Sequence, residues 1–229
     1  MARRLQYLWP PSVSGQVCPL QTLTAGGPLS LNTTPGGYYN PLNQSLDFLQ
    51  KGFSRSVLII SSHDLSGVNF AVTGLQNGAV VTETVKGENG SVAAESQFTY
   101  DQILSIQSDQ AAAGVRVDLG VKGYFKMLAL NLKKDYLNYA ASMTLSSNSQ
   151  MNYSIYYTPY DITGNQLSFD TMISDQSNSS YFFYYTTVDK DNFFYPSHNL
   201  TPFLLIPFYL IRINSCVVAD TATLTFIQI

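Results

Sequence analysis

Val57-Leu58-Ile59-Ile60-Ser61-Ser62, followed by Val68-Asn69-Phe70-Ala71-Val72-Thr73, decides the fold class of this 229-residue chain. Branched and aromatic residues favour strands, and they recur here at the two-residue period at which strand side chains alternate between faces. The same phrase returns as Met143-Thr144-Leu145-Ser146-Ser147 followed by Met151-Asn152-Tyr153-Ser154-Ile155-Tyr156. The closing halves also agree. Ile103-Leu104-Ser105-Ile106-Gln107-Ser108 leads, seven residues after its last Ser, into Val115-Arg116-Val117-Asp118-Leu119; Leu210-Ile211-Arg212-Ile213-Asn214-Ser215 leads at the same interval into Ala222-Thr223-Leu224-Thr225-Phe226. Self-similarity at wide spacing marks duplicated modules, a design that serves binding and assembly more readily than catalysis.

Outward from that stretch, Asn77-Gly78 separates two alternating runs and predicts a tight hairpin turn. A further turn is expected at Gly87-Glu88-Asn89-Gly90, an extended run at Val92 to Phe98, and an opening strand of the second unit at Lys126 to Leu132. Residues 160–202 read as a long insertion anchored by Tyr181-Phe182-Phe183-Tyr184-Tyr185 and Phe193-Phe194-Tyr195. They are either a partner-facing loop or, as strand propensity favours, strand residues capping the sandwich. The first 54 residues differ: Pro10-Pro11, Gly26-Gly27-Pro28 and Pro35-Gly36-Gly37 forbid long regular elements. Within this arm a hairpin of Leu20–Thr24 with Leu29–Asn32 and a short helix over Pro41–Gly52 are expected, and the arm packs on a neighbour or lies over its own domain. The prediction is an all-β chain of two tandem antiparallel β-sandwich units, jelly-roll or Ig-like, over residues 55–120 and 121–229, preceded by an irregular N-terminal arm, 1–54. A single eight-stranded jelly roll can be cut from the same elements, but the repeat favours two units.

Composition narrows the function. Apolar residues make up 45%, enough for a sizeable core, but charged residues only 12%, about half of the ~25% usual in soluble domains. Much of the surface is therefore neutral and polar or hidden in an assembly. A net charge of −3, with Arg3-Arg4 and Lys133-Lys134 as the basic pairs, disfavours a nucleic-acid coat. Leu5-Gln6-Tyr7-Leu8-Trp9-Pro10-Pro11 is too broken for the apolar core of a secretion signal. Phe203–Ile213, the most apolar run, is too short to span a bilayer and carries Pro207 and Arg212; it reads as a buried strand with a bend or a strand pair. Asn-x-Ser/Thr triplets such as Asn32-Thr33-Thr34, Asn152-Tyr153-Ser154 and Asn199-Leu200-Thr201 carry no weight in so Asn/Ser/Thr-rich a chain.

Catalytic and metal signatures are weak. His63 and His198 are the two histidines; His63-Asp64 has no counterpart at Asn148 or Ser149 in the second copy, and no serine sits in a nucleophile elbow. Asp189-Lys190-Asp191 lacks the further oxygen ligands and glycine of a calcium loop, and no phosphate-binding loop occurs. Cys18 and Cys216 lie near opposite ends without metal-type spacing, so free thiols are the default, with a bridge between them as the alternative. No catalytic, cofactor-binding or metal residue is predicted, and no cofactor.

Ser56-Val57-Leu58-Ile59-Ile60-Ser61-Ser62-His63-Asp64-Leu65-Ser66-Gly67-Val68-Asn69-Phe70-Ala71-Val72-Thr73-Gly74, then Thr82-Glu83-Thr84-Val85-Lys86-Gly87, resembles a family of β-rich virion structural proteins of tailed bacteriophages. The ending, Tyr209–Ser215 with Ala222–Gln228, is similar to that family's closing strands, so the likeness covers roughly residues 55–229. The arm lies outside it, and the aromatic insertion departs from the family's shorter linker. The resemblance implies a non-enzymatic virion protein, a multi-copy homo-oligomer docked on major capsid, portal or tail proteins, with no nucleic-acid or membrane partner. Capsid decoration or cement is favoured over a head-to-tail or tail role. The expectation from another class is a carbohydrate- or receptor-binding module of a tail or fibre, in which insertion tyrosines stack on sugars; a hydrolase comes third.

Overall fold

The computed structural model describes residues 3–34, 37–126, 128–129, 141–147, 152–158, 168–174, 183–188, 208–216 and 221–228. The N-terminal segment contributes β1 (Arg3–Trp9), β2 (Cys18–Leu23), β3 (Gly27–Pro28), β4 (Tyr39–Asn40), β5 (Ser45–Asp47) and a 3-10 turn at Leu49–Lys51. The first copy of the repeat follows as β6 (Phe53–Ser61), β7 (Asn69–Gln76), β8 (Ala79–Lys86), β9 (Ala94–Glu95), β10 (Gln102–Ser108) and β11 (Ala112–Phe125). The second holds β12 (Leu128–Ala129), β13 (Ala141–Ser147), β14 (Asn152–Thr158), α1 (Phe169–Ser174), β15 (Phe183–Val188), β16 (Phe208–Ser215) and β17 (Ala222–Gln228). The all-β expectation holds.

The two copies pair their strands in the same way. β6 pairs antiparallel with β11 and β7 with β10; correspondingly, β13 pairs with β17 and β14 with β16. The register of the first kind of pair is identical in both. Ser61 faces Val115 and Val57 faces Leu119, while their counterparts Ser147 and Met143 face Ala222 and Phe226. In the second kind of pair the register differs: Phe70 faces Ser108, whereas its counterpart Tyr153 faces Ile213 beside an irregularity at Asn152.

The copies are joined through hydrogen bonds. Beyond Leu119 the β6–β11 register slips, so that Gly123 faces Arg55, and past this bulge Gly123 and Tyr124 also pair with Ile213 and Arg212 of β16. A bulge bends a strand and re-aims its side chains. Here it lets one strand serve both copies, and the expected division between residues 120 and 121 falls inside it. One sheet of eight strands thus runs β15-β14-β16-β11-β6-β9, with β2 on β11 and β12 on β16; a six-stranded sheet runs β4-β5-β10-β7-β8, with β3 on β10; a three-stranded sheet runs β1-β17-β13. Side chains of all three meet in one buried cluster that includes Val57, Phe70, Ile106, Val117, Ile213 and Leu224.

Residues 1–54, expected to be irregular, are woven into these sheets. β1 pairs along its whole length with β17, β2 lies on β11, and β4 and β5 extend the sheet of β10. Trp9 is fully buried against Phe53 and Phe125, with ring centroids 6.0 and 5.6 Å away. The segment lies over its own chain. The hairpin expected at Leu20–Asn32 does not form as a ladder, because β2 pairs with β11 while β3 pairs with β10. The helix expected over 41–52 is replaced by β5 and the single 3-10 turn, since Ser45, Leu46 and Asp47 find strand partners. Of the run expected at Val92 to Phe98, Ala94–Glu95 alone is strand.

Asn77 and Gly78 have φ of +51° and +77°, and Gln76 faces Ala79, the geometry of a two-residue hairpin. Gly78→Ala is expected to cost about 1 kcal/mol from its left-handed backbone alone, since open space surrounds the position. Urea denaturation checks this; an unchanged midpoint would contradict the turn assignment.

Candidate functional site at the junction of the copies

The most developed polar constellation lies where α1 meets the end of β11. Ser168 starts the helix as an N-cap, its Oγ accepting from the Thr171 amide at 3.0 Å. Phe169 and Met172 bury against Tyr124 and Leu210. That packing fixes Asp170 over the junction. Its Oδ1 accepts from the Tyr124 hydroxyl at 2.6 Å and lies 3.7 Å from the Arg212 guanidinium; its Oδ2 accepts from Gln76 Nε2 at 2.8 Å and from Thr99 at 3.3 Å. Gln76 Oε1 in turn accepts from the Asp170 amide at 2.9 Å. One carboxylate thereby links β7 and β11 of the first copy to α1 and β16 of the second.

Electrostatics follow from burial. The Tyr124 hydroxyl is held well above its usual range, by burial first and then by Asp170, so it stays a neutral donor. Burial disfavours the Arg212 cation, but Tyr124, Asp170 and Tyr156 outweigh it and raise its pKa. The Arg212 guanidinium also sits 5.6 Å from the Tyr124 ring centre, a cation–π geometry. Tyr124→Phe is expected to cost about 1–2 kcal/mol, because one acceptor site of a partly buried carboxylate loses its donor. Chemical denaturation measures it; a neutral result would mean solvent already serves Asp170.

Beside this network is a hollow of about 330 Å³ lined by Leu49, Phe53, Ser54, Asn77, Gly78, Asp101, Tyr124, Phe125, Lys126 and Phe169. Asp101 is only 4% exposed, and one of its carboxylate oxygens accepts from the Asn77 amide. Burial pushes its pKa up to about 7; the Asn77 amide opposes the rise, and Asp47 and Asp170 add to it.

A second buried charge fastens the N-terminal segment. Arg55 is fully buried, lies 4.5 Å from the centre of the Trp9 ring and donates to the carbonyls of Pro10 and, through Nε and Nη2, Gly120. Burial lowers its pKa to about 10, with Cys216, Tyr38 and Glu95 acting the other way, so it remains a cation at neutral pH. Around the bulge, Glu95 accepts from Ser56 Oγ at 2.6 Å and from the Val121 amide at 3.0 Å.

The residues weighed from sequence lie elsewhere. His63 occupies an exposed turn, its amide donating to Ser61 Oγ, and Asp64 caps the Ser66 amide at 2.9 Å; hydrogen bonds from the Ser66 hydroxyl first and its amide second lower the Asp64 pKa. His198 and Asp189-Lys190-Asp191 lie outside the described residues, as do Tyr181 and Phe193–Tyr195; Phe183, Tyr184 and Tyr185 belong to strand β15. Cys18 and Cys216 are not joined in a disulfide; burial pushes Cys18 up to about 12, and the Cys216 thiol donates to the Val121 carbonyl. Among the described residues there is no group of three or more His, Cys, Asp or Glu able to hold a metal ion, and no helix long and apolar enough to cross a membrane. Sequence reasoning missed Asp170, Gln76, Asp101 and Arg55 as a set. The available signal was a charge inside an apolar strand run, as with Arg212 and Arg55. Comparison with family models, with curated proteins and with solved structures gave no match to this chain.

Proposed function

We propose that this chain is a non-enzymatic structural component of a tailed-bacteriophage virion, present in multiple copies and docked on other virion proteins as a capsid decoration or cement protein. The observation that carries this reading is the duplicated strand pairing on the residues that resemble the phage family, with identical register in β6–β11 and β13–β17, and with the first copy joined to the second where β11 pairs β16. Its surface supports it. The outer strand of the six-stranded sheet, β8, exposes Val80, Thr82, Thr84 and Lys86, a mostly neutral face, and exposed apolar side chains such as Leu20, Leu42 and Val92 are scattered singly. Faces of this kind meet subunits without demanding paired charges. The buried polar network then serves rigidity, holding the two copies at a fixed angle under load. Mass spectrometry of purified particles tests the reading: the chain is expected at a stoichiometry matching a capsid or tail protein, and its absence or trace presence overturns the proposal.

A further inference from the structure

We infer that the hollow beside Asp101 is a socket for a lysine side chain presented by a neighbouring protein of the assembly, an inference that rests on the assembly reading above for the source of the lysine.

Four observations converge on an ammonium ion with an aliphatic stem. Asp101 is a buried carboxylate with no ion-pair partner among the described residues, whereas Asp118, Glu95 and Asp170 each have one. Ser54, on the same lining, is 2% exposed and its hydroxyl has no hydrogen-bond partner; a buried polar atom left unpaired is costly. The remaining walls, Leu49, Phe53, Phe125 and Phe169, are apolar and largely aromatic, a surface along which methylenes pack and whose rings attract a cation. The volume, about 330 Å³, lies at the lower end of small-ligand pockets, ample for one long side chain.

The donor count selects lysine over arginine. The Asn77 amide already occupies one lone-pair site of one Asp101 oxygen, which crowds the in-plane approach that a two-pronged guanidinium fork needs more than it crowds a single ammonium. A compact ammonium has three rotatable donors, one for the remaining Asp101 oxygen and others for further acceptors on the lining, where the Ser54 hydroxyl is without a partner. An anion is disfavoured by the same floor, where Asp47 and Asp170 add negative charge next to Asp101. Lys126, on the rim, is exposed and makes no ion pair among the described residues; it opposes an incoming cation weakly through solvent.

The test uses the full chain and n-butylammonium chloride, a mimic of the lysine side chain, followed by amide chemical shifts in NMR at pH 8. Saturable binding centred on Asn77, Gly78 and Lys126 is expected, with n-butanol binding at least about tenfold more weakly because it brings no charge. Asp101→Asn is expected to weaken n-butylammonium about tenfold and Lys126→Ala to strengthen it about twofold. Equal affinity for the amine and the alcohol, or an unchanged affinity in Asp101→Asn, overturns the socket; if that variant fails to fold, the amine-to-alcohol ratio on the unaltered chain decides alone. Particle mass spectrometry separates the two ideas. A chain abundant in particles that ignores n-butylammonium sinks the socket and spares the assembly reading; a chain that binds the amine but is missing from particles sinks the assembly reading and, with it, the partner assigned here.

Discussion

Replacing Arg55 by Ala is expected to destabilise the protein by about 3–5 kcal/mol and to loosen its N-terminal strand. Three hydrogen bonds to the carbonyls of Gly120 and Pro10 vanish together, and the space beneath the Trp9 ring empties. Large-to-small changes in cores cost about 2–5 kcal/mol, and a carbonyl left buried without a donor adds about 1–3 kcal/mol. Arg55→Met separates these terms. Methionine refills the volume and removes a buried charge whose desolvation was itself unfavourable, so it should cost distinctly less than Ala. Urea denaturation gives the stabilities, and amide hydrogen exchange locates the damage. Since Trp9 is the last rung of the β1–β17 ladder and Pro10 directly follows it, faster exchange in β1 than in β7 or β10 is the expected pattern. Uniform acceleration across all sheets would mean that Arg55 supports the core generally and does not anchor the N-terminal segment.

Asp101→Asn should have the opposite sign at neutral and alkaline pH. The folded-state pKa of Asp101, about 7, lies above the usual 3.8. The native chain therefore holds this proton more tightly than the unfolded one, and its contribution to stability is complete below about pH 4 and lost as pH rises through about 7. A shift of about 3 units corresponds to up to about 4 kcal/mol. Asparagine does not titrate, and its side-chain oxygen can still accept from the Asn77 amide. Stabilities of the two proteins should coincide near pH 4 and diverge upward, the variant being the more stable at pH 8 by several kcal/mol. Subtracting the two curves cancels the carboxylates they share. A difference that stays flat from pH 4 to pH 8 would show that Asp101 titrates like an exposed acid. Should both results hold, ionised Asp101 costs the fold stability, a cost that a cation bound beside it would offset.

The junction also ties the copies together through shared strands. In the first copy, β6 and β11 lie in the eight-stranded sheet and β7 and β10 in the six-stranded one; in the second, β14 and β16 join the eight-stranded sheet while β13 and β17 form the three-stranded sheet with β1. Edge strands are hazards unless paired or covered. β1 covers one edge of β17, and the β11–β16 pairing removes another at the junction. The N-terminal segment thus closes the second copy from the far end of the chain.

How far the sequence led can be traced residue by residue. The β-branched apolar run Val57–Ile60, alternation at Phe70–Val72, the Asn77-Gly78 turn, and the matching phrases at 143–147 and 151–156 were enough for strand identity, the all-β class and the correspondence that recurs in the ladders. These are local properties: side-chain period and turn chemistry depend on neighbours within a few residues. The partners of Arg3–Trp9 and Cys18–Leu23 were illegible, because a strand broken by prolines and glycines acquires its extended shape only from a ladder supplied by residues about a hundred or two hundred positions away. The bulge at 120–122 read as the boundary between two units for the same reason, since Gly120 and Gly123 carry identical turn signals whether the chain stops pairing there or only changes partner. Asp170, Gln76, Asp101 and Arg212 form a site by proximity alone. The sequence by itself settled what kind of element most of the repeated stretches would form, through short-range sterics and hydrophobic period; tertiary structure alone decided which strands met and which buried charges faced one another, because pairing and burial are properties of contacts that no single stretch contains.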